Sequence, residues 1–498
     1  MSKTERVIAL VIAQGFNAGV NFFFLPYFVR VLSRADYGLY GQVILVADTA
    51  RILFSMGTAA VLYVSLGRSK DQPSDFKTFF TLSFGQGILG CLTIFLSAGF
   101  FARSFHNEAL GPLLRLYCPY ILFYIPYLCL NALLIFLGRA RASLFVVTAG
   151  LCLRVTILVT AVQVFHSLSF VFGGLVLLAF LQLLLGLYCL PQGFLKKGRF
   201  SSRLVRERLT LGLQVGFTEM MGFAFAYTDK FMVSSFLSVE DFAVYRSGAI
   251  ELPVIGTLYT SIATIVLPVI SKHYAEGNFD RIVELKRRLI TLTAALLYPV
   301  VCFLIVFSHI LVTTYFSKKY AAGAIVFAIM SCGLFFRVND FEDILLSSSK
   351  SRILLLVHTS AFALNVAINY VLVRKLGYVG AAISTLSSYA ILLSMLFYIS
   401  ARIIGKSVRD FLDFRGLAII VSVSLGLPTA FYFAGFGTDR IFYVLSYGAI
   451  STVTAYLIFL KLAIIDYREL SPLILKVPGF GAALDRRLAA QFSPRGAL

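Results

Sequence analysis

The stretch Leu237-Ser238-Val239-Glu240-Asp241-Phe242-Ala243-Val244-Tyr245 repeats a pattern found 205 residues earlier, in Leu32-Ser33-Arg34-Ala35-Asp36-Tyr37-Gly38-Leu39-Tyr40. Both copies begin with Leu-Ser, place an aromatic residue after an Asp, and close on Tyr. Each copy follows the first long apolar run of its half of the chain. This arrangement predicts a duplicated bundle of helices.

The composition is that of a membrane protein. The 498 residues are 59% hydrophobic and 14% charged, with a mean hydropathy of +0.87, whereas soluble domains carry about 25% charged residues. Most apolar runs exceed the ~20 residues that span a bilayer as a helix. Strands of a membrane barrel would instead alternate in polarity over ~10 residues. We therefore expect an all-α, polytopic membrane protein whose first span is not a cleaved signal peptide.

The apolar runs predict about fourteen transmembrane helices. Their connections fix the orientation, because Lys and Arg are retained on the cytoplasmic side. With the N-terminus inside, the inner connections and tail hold 30 Lys and Arg and the outer ones eight. Both termini are therefore expected in the cytoplasm of a multi-pass cell (inner or plasma) membrane protein. The predicted spans are 7–29, 38–65, 79–102, 111–137, 143–165, 168–194, 210–235, 242–270, 289–312, 321–346, 353–373, 378–401, 416–435 and 441–464.

The net charge of +20 does not indicate nucleic acid, because cytoplasmic loops that face anionic lipid account for it. A second echo, Leu134–Arg141 and Leu345–Arg352, joins a fourth helix to a fifth in each half. Since six spans is an even number, the halves are expected to be parallel repeats that hold a ligand between them. The predicted regions are an N-terminal lobe 1–200, a C-terminal lobe 201–407, an appended helix pair 408–466 and a cytoplasmic tail 467–498.

Six basic residues fall inside the predicted spans. Each costs roughly 2.5–3.5 kcal/mol near the centre of a membrane helix, so we expect them to face a polar interior, pair with acids or reach the interface. All six are candidate substrate-binding residues for an anionic ligand: Arg154, Lys230, Arg115, Arg51, Arg246 and Arg337.

The six differ in how strongly they indicate a binding site. Arg154 and Lys230 lie deepest in their spans. Arg115 and Arg246 lie near outer span ends, where reaching the interface is the alternative. Arg51 is spaced to pair with Asp48, and Arg337 with Asp340, on one helix face, so a structural ion pair is the alternative for them.

Three acids are candidates for ion coupling: Glu219, Asp229 and Asp48. A further acidic group, Asp340, Glu342 and Asp343, is expected to pair with Lys350 or Arg352. The seven cysteines lie in apolar runs without CxxC spacing, and the five histidines are scattered. The sequence therefore predicts neither a metal site nor a cofactor.

The eleventh and twelfth predicted helices carry a family resemblance. The chain has Asn365-Val-Ala-Ile-Asn369, followed by Gly377-Tyr-Val-Gly380-Ala381-Ala382. This pattern resembles oligosaccharide flippases of the multidrug/oligosaccharidyl-lipid/polysaccharide exporter superfamily. The repeated steps Leu32–Tyr40 and Leu237–Tyr245, the fourteen spans and the parallel lobes resemble that family as well. Small residues such as Gly380 also allow two helices to cross closely.

The resemblance implies a transporter that flips a polyprenyl-(pyro)phosphate-linked oligosaccharide from the inner to the outer leaflet for surface polysaccharide synthesis. It implies alternating access through a cationic central cavity, with a lipid-linked oligosaccharide as substrate, membrane lipids as surroundings and a polysaccharide polymerase as partner. Aromatic walls for the sugar are expected from Tyr227, Tyr245, Tyr259 and Tyr370, with packing as the alternative for each.

Three other functions stay open at this point. An ion-coupled multidrug exporter of the same superfamily would need an acidic cavity, and the intramembrane acids and bases are nearly balanced. A lipid-II-type flippase would be expected to carry Arg within its first helix, where this chain has Arg30 only at the outer end. A membrane-embedded glycosyltransferase or polymerase is disfavoured because the predicted connections are short, so we expect no enzyme.

Overall fold

The computed structural model describes residues 19–20, 24–69, 71–250, 265–338, 341–436 and 441–465, and all regular elements within these ranges are helical. Residues 24–31 and 265–275 form helices at the edges of described ranges. The numbered α-helices are α1 Arg34–Ser55, α2 Thr58–Arg68, α3 Gln72–Ser104, α4 Leu110–Tyr117, α5 Pro119–Phe136, α6 Ala140–Gln163, α7 Leu168–Tyr188, α8 Phe194–Lys197, α9 Ser202–Phe236, α10 Val239–Gly248, α11 Phe279–Val306, α12 Ser308–Tyr315, α13 Gly323–Cys332, α14 Glu342–Ser347, α15 Ser351–Ile403, α16 Phe414–Phe431 and α17 Ile441–Lys461. Short 3-10 helices are Lys318–Tyr320, Gly333–Val338 and Val408–Phe411, and Tyr432–Phe436 forms a π-helical turn.

Eight helical segments in the described ranges are long and apolar enough to cross a membrane. They confirm the predicted all-α, polytopic class. The count of fourteen stays a prediction, because most of the first predicted span and the middle of the eighth lie outside the described residues. The eight segments are Gln72–Ser104, Leu110–Phe136, Ala140–Gln163, Leu168–Tyr188, Phe279–Val306, Ser351–Ile403, Phe414–Ala434 and Phe442–Lys461.

The predicted second span, 38–65, is not one continuous helix. α1 ends at Ser55, and Met56 and Gly57 both adopt the left-handed conformation before α2 begins. A Cβ on Gly216 of α9 would lie 2.6 Å from the Met56 Cα, so the backbone of α9 packs against this break. Such an approach requires glycine, because a side chain would collide with main-chain atoms.

The predicted eleventh and twelfth spans meet within α15 at Gly377, whose φ of 61° and ψ of −145° are not helical. After this turn the chain folds back on itself. A Cβ on Gly380 would lie 2.0 Å from the Leu372 carbonyl oxygen. The expectation that Gly380 allows a close helix approach is therefore met by a helix that packs against its own preceding segment.

The chain divides into two compact units, one of residues 1–246 and 369–381 and the other of residues 247–368 and 382–498. In the first unit α2, α3, α5, α6 and α7 enclose an apolar core that includes Leu62, Phe76 and Leu133. In the second unit α11, α16 and α17 surround a core that includes Phe411 and Phe459. The predicted regions 1–200, 201–407, 408–466 and 467–498 stay a prediction.

The two copies of the repeated stretch touch each other inside the first unit. Gly38 of the first copy faces the Val239 carbonyl of the second, and a Cβ on Gly38 would come within 2.1 Å of that oxygen. In the second copy Ala243 stands at the position equivalent to Gly38, and it is fully buried. The duplicated pattern is therefore also a packing contact between α1 and α10.

The predicted partner of Asp343 is wrong. The Asp343 Oδ2 lies 2.5 Å from the Lys286 Nζ, and both side chains are buried in the second unit. The Lys286 ammonium also lies 4.9 Å from the Phe341 ring centre. The sequence reading placed Lys286 in a cytoplasmic connection, but α11 starts at Phe279 and carries the lysine into the interior. Glu342 contacts His358 instead, at 3.1 Å.

Candidate functional site

One face of α1 carries four polar or aromatic residues. Tyr37, Tyr40, Asp48 and Arg51 are separated by three, eight and three positions. At 3.6 residues per turn these spacings place all four on the same side of the helix. Tyr37 and Tyr40 are buried, whereas the side chains of Asp48 and Arg51 are 34% and 28% exposed. The face therefore runs from a buried aromatic end to a partly open charged end.

Arg154 reaches this face from α6. Its guanidinium interacts electrostatically with Tyr40, Tyr117 and Tyr120. Its Nε is buried and has no hydrogen-bond partner within the described part of the chain. Because a buried donor without a partner is costly, this Nε favours an acceptor beyond those that the described residues supply.

Arg246 reaches the same end of the face from α10. Its Cζ lies 4.9 Å from the Tyr37 ring centre and 5.1 Å from the Tyr40 ring centre. The arginine packs against Gly41, where a Cβ would come within 2.9 Å of its Cδ and Nη1. The buried Nη1 again lacks a hydrogen-bond partner among the described residues. Arg154 and Arg246 thus converge on one tyrosine, Tyr40, from two different helices.

Arg51 forms the predicted ion pair with Asp48, with 3.0 Å between Nε and Oδ1. This prediction is confirmed. The guanidinium also interacts electrostatically with Tyr120 and Tyr124 of α5. At about 1.5 Å rise per residue, Arg51 lies about 16 Å further along α1 than Tyr40. The site therefore has two levels. The arginine level is formed by Arg154 and Arg246 around Tyr40, and the second level is formed by the Asp48–Arg51 ion pair further along α1.

A row of tyrosines on α4 and α5 connects the two levels. The rings of Tyr117 and Tyr120 stack with centres 4.8 Å apart, and those of Tyr120 and Tyr124 stack at 4.9 Å. Phe172 of α7 contacts both Tyr117 and Tyr40. Sequence reasoning missed this row, although its three- and four-residue spacing is the signal of one helix face.

Three of the six predicted cations lie apart from the cluster that the α1 face, Arg154, Arg246 and the tyrosine row form. The Lys230 Nζ lies 4.1 Å above the Tyr227 ring and donates to the Ala226 carbonyl at 3.2 Å. Arg115 is exposed, with its Cζ 5.8 Å from the Phe95 ring. Arg337 belongs to the second unit, where it lies 5.9 Å from the Tyr389 ring.

The candidate ion-coupling acids occupy different surroundings. Asp229 is 1% exposed; it accepts hydrogen bonds from the Tyr245 hydroxyl and, at 2.7 Å, from the Lys230 backbone N–H. Tyr245 is fully buried, so it packs inside the unit and lines no wall. Asp48 is held by Arg51 as described. Glu219 lies on α9 with its side chain outside the described part, and Tyr259 and Asp340 also fall outside it.

The cluster as a whole suits a phosphate-bearing ligand. Two guanidiniums with unmatched buried N–H groups lie at one level, and the single described carboxylate that interacts with the tyrosine row, Asp48, is paired with Arg51. Guanidinium groups bind phosphate oxygens in a planar, bidentate geometry. Among the described residues no group of three or more His, Cys, Asp or Glu is placed to hold a metal ion.

Residues 4–273 match the model of a family described as polysaccharide biosynthesis protein. The chain belongs to this family. The chain is 24% identical over 234 residues to a putative O-antigen transporter from Shigella flexneri, a match that covers 45% of this chain and 55% of that protein. It is 23% identical over 209 residues to an uncharacterized membrane protein from Methanocaldococcus jannaschii, covering 41% and 40%. The chain spans about half the length of these curated relatives.

Solved structures show the same fold for this family member. The lipid II flippase MurJ in an inward closed conformation superposes with a TM-score of 0.71 and 16% identity, covering 93% of this chain and 99% of MurJ. An inward-facing multidrug resistance MATE transporter of the MOP superfamily gives a TM-score of 0.61 and 15% identity, covering 80% and 98%. These two similarities show a shared fold, and the family match supports the polysaccharide-related resemblance drawn from the sequence.

Proposed function

We propose that the protein flips a polyprenyl-(pyro)phosphate-linked oligosaccharide from the inner to the outer leaflet for surface polysaccharide synthesis. It works by alternating access through a cationic central cavity, in the inner or plasma membrane, with both termini in the cytoplasm. It performs transport without enzymatic chemistry, and a polysaccharide polymerase receives its product. The family match and the similarity to an O-antigen transporter support this proposal.

The observation that carries the proposal is the convergence of Arg154 and Arg246 on Tyr40. Each arginine keeps a buried N–H without a hydrogen-bond partner among the described residues. Leaving such a donor unsatisfied costs about 1–3 kcal/mol, and a phosphate oxygen that accepts from it removes this cost. The (pyro)phosphate group is therefore the part of the substrate that binds here, while the prenyl tail stays in the bilayer.

The membrane potential favours the proposed direction of transport. Moving one net negative charge outward across an inside-negative membrane gains about 2.3 kcal/mol per 100 mV. Coupling to Na⁺ or H⁺ through Glu219, Asp229 or Asp48 would add to this driving force. Flipping in liposomes that have a potential and no ion gradient tests the coupling: undiminished flipping removes the need for these acids.

Two alternatives make different predictions about substrate. A multidrug exporter would confer resistance to organic cations, whereas a glycolipid flippase would change surface polysaccharide. Similarity to MurJ shows a shared fold, so lipid II has to be compared directly with a polysaccharide repeat unit. Transport of lipid II at the same rate as the repeat unit would favour the lipid-II-type function.

The direct test uses the variants Arg154→Gln and Arg246→Gln in proteoliposomes with a fluorescent polyprenyl-pyrophosphate oligosaccharide. Hydrogen bonds to charged groups contribute about 1.5–3 kcal/mol, so each variant should lower the flipping rate about tenfold or more. Arg103→Gln is the matched control, because Arg103 is exposed at the end of α3 and its side chain donates to the Gly99 carbonyl of its own helix. If both variants insert normally and flip substrate as fast as the control, the proposed site is wrong.

A further inference from the structure

The tyrosine row is uncharged, whereas the arginine level is positively charged. The row also offers hydroxyl groups that a ligand could bind. Tyr120 and Tyr124 are half-buried, and neither hydroxyl has a hydrogen-bond partner among the described residues. Their rings already stack on one another, so the hydroxyl groups are the parts left to recognise a ligand. Each phenol hydroxyl can donate one hydrogen bond and accept others.

The two levels therefore suit different parts of one molecule. Arg154 and Arg246 provide positive charge, whereas Asp48 and Arg51 neutralise each other. A phosphate gains most from the first level, because charge-assisted hydrogen bonds are the stronger ones. An uncharged polyol gains most from the second, where carboxylate, guanidinium and phenol groups together accept and donate hydrogen bonds.

The spacing links the levels into one path. The Tyr120 side chain interacts electrostatically with Arg154 and also with Arg51, so it lies within range of both levels. From Tyr117 to Tyr124 the row advances about 10 Å along the helix axis, at about 1.5 Å per residue. The row follows the same direction as the face of α1 from Tyr40 to Arg51.

We infer that Tyr120, Tyr124 and the Asp48–Arg51 ion pair form a subsite for the uncharged sugar next to the pyrophosphate. This inference rests on the proposed function, because it takes the pyrophosphate to be bound by Arg154 and Arg246. The subsite makes the protein sensitive to the first sugar of the substrate. It binds hydroxyl groups of the sugar and makes no contact with the lipid tail.

The experiment measures binding of two probes to the full chain in nanodiscs. One probe is a short polyprenyl pyrophosphate, and the other is the same lipid carrying a single N-acetylhexosamine. The double variant Tyr120→Phe/Tyr124→Phe keeps both rings and their stacking but removes both hydroxyls. Tyr127→Phe is the matched control, because Tyr127 is a buried tyrosine on the same helix, packed beside Tyr124.

The expected result is that wild type binds the sugar-bearing probe more tightly and that the double variant loses about tenfold on that probe alone. Equal losses on both probes, or no loss on either, overturn the subsite. Arg154→Gln separates the two proposals, because it should weaken both probes. If Arg154→Gln binds both probes as tightly as wild type, the proposed phosphate site is wrong. If Arg154→Gln weakens both probes but the double tyrosine variant binds both like wild type, only the sugar subsite is wrong.

Discussion

Replacing Gly41 by alanine should displace Arg246 at the arginine level, although Gly41 itself is not proposed to contact the ligand. A Cβ at this position would lie 2.8 Å from the Phe242 ring and 2.9 Å from the Cδ and Nη1 of Arg246. Contacts this short cannot persist, and because the Phe242 ring is buried, the flexible Arg246 side chain is the group expected to move. The helix itself should tolerate the change, since alanine is a better helix former than glycine by about 1 kcal/mol. We therefore expect a folded protein with a displaced guanidinium.

The size of the effect follows from what Arg246 loses. A cation over aromatic rings contributes about 0.5–2 kcal/mol, so binding of a short polyprenyl pyrophosphate should weaken about 2-fold to 30-fold. Titration of the probe into nanodisc-embedded protein measures this change. Gly85→Ala is the matched control, because Gly85 also lies mid-helix and its Cβ would meet no atom within 4 Å.

A double-mutant cycle decides whether the effect passes through Arg246. If Gly41→Ala acts by moving the guanidinium, it should have almost no effect on probe binding once Arg246→Gln has removed that group. Additive losses in the double variant would contradict this explanation. Wild-type affinity in the Gly41→Ala single variant would refute the reasoning altogether.

Two further predictions concern contacts inside the first unit. Tyr245→Phe removes a hydrogen bond to the buried Asp229 and should lower the free energy of unfolding by about 1.5–3 kcal/mol. Tyr398→Phe is the control and should change stability little, because Tyr398 is exposed. Equal thermal stability of the two variants would contradict this prediction. Copper-phenanthroline should oxidise Cys91 and Cys118 to a disulfide, because their Sγ atoms are 3.4 Å apart and the bond needs about 2.05 Å. Alkylation of the remaining free thiols followed by mass spectrometry measures the fraction of disulfide formed. If both thiols are fully alkylated after oxidation, the helices hold them too far apart to form the bond.

Local features of this site were predictable from sequence, whereas long-range ones were not. The Asp48–Arg51 pair follows from three-residue spacing on one helix. The meeting of Arg154 with Arg246 depends on how α6 and α10 pack against α1, and spacing along the chain carries no information about that. Sequence reasoning ranked Lys230 beside Arg154 on depth alone, but Lys230 lies over Tyr227, outside the cluster.

The fold shows the same division. Composition and run length predicted an all-helical membrane protein, because burial of apolar helices in lipid depends on averages over ~20 residues. The break at Met56 and Gly57 does not show in those averages, since residues 52–54 before it and 59–62 after it are apolar and no proline marks it. The tyrosine row was also hidden, because 25 tyrosines give many helical spacings and only the packed structure shows which face is open.

The contact between Gly38 and Val239 limits the size of the residue at position 38. A Cβ there would lie 2.1 Å from the Val239 carbonyl oxygen, a main-chain atom that no change of rotamer can move. Ala243, the equivalent residue of the second copy, is fully buried and keeps its methyl group. The two copies of the repeat therefore no longer set the same limit on side-chain size, because only the first must let another backbone approach its own at this position.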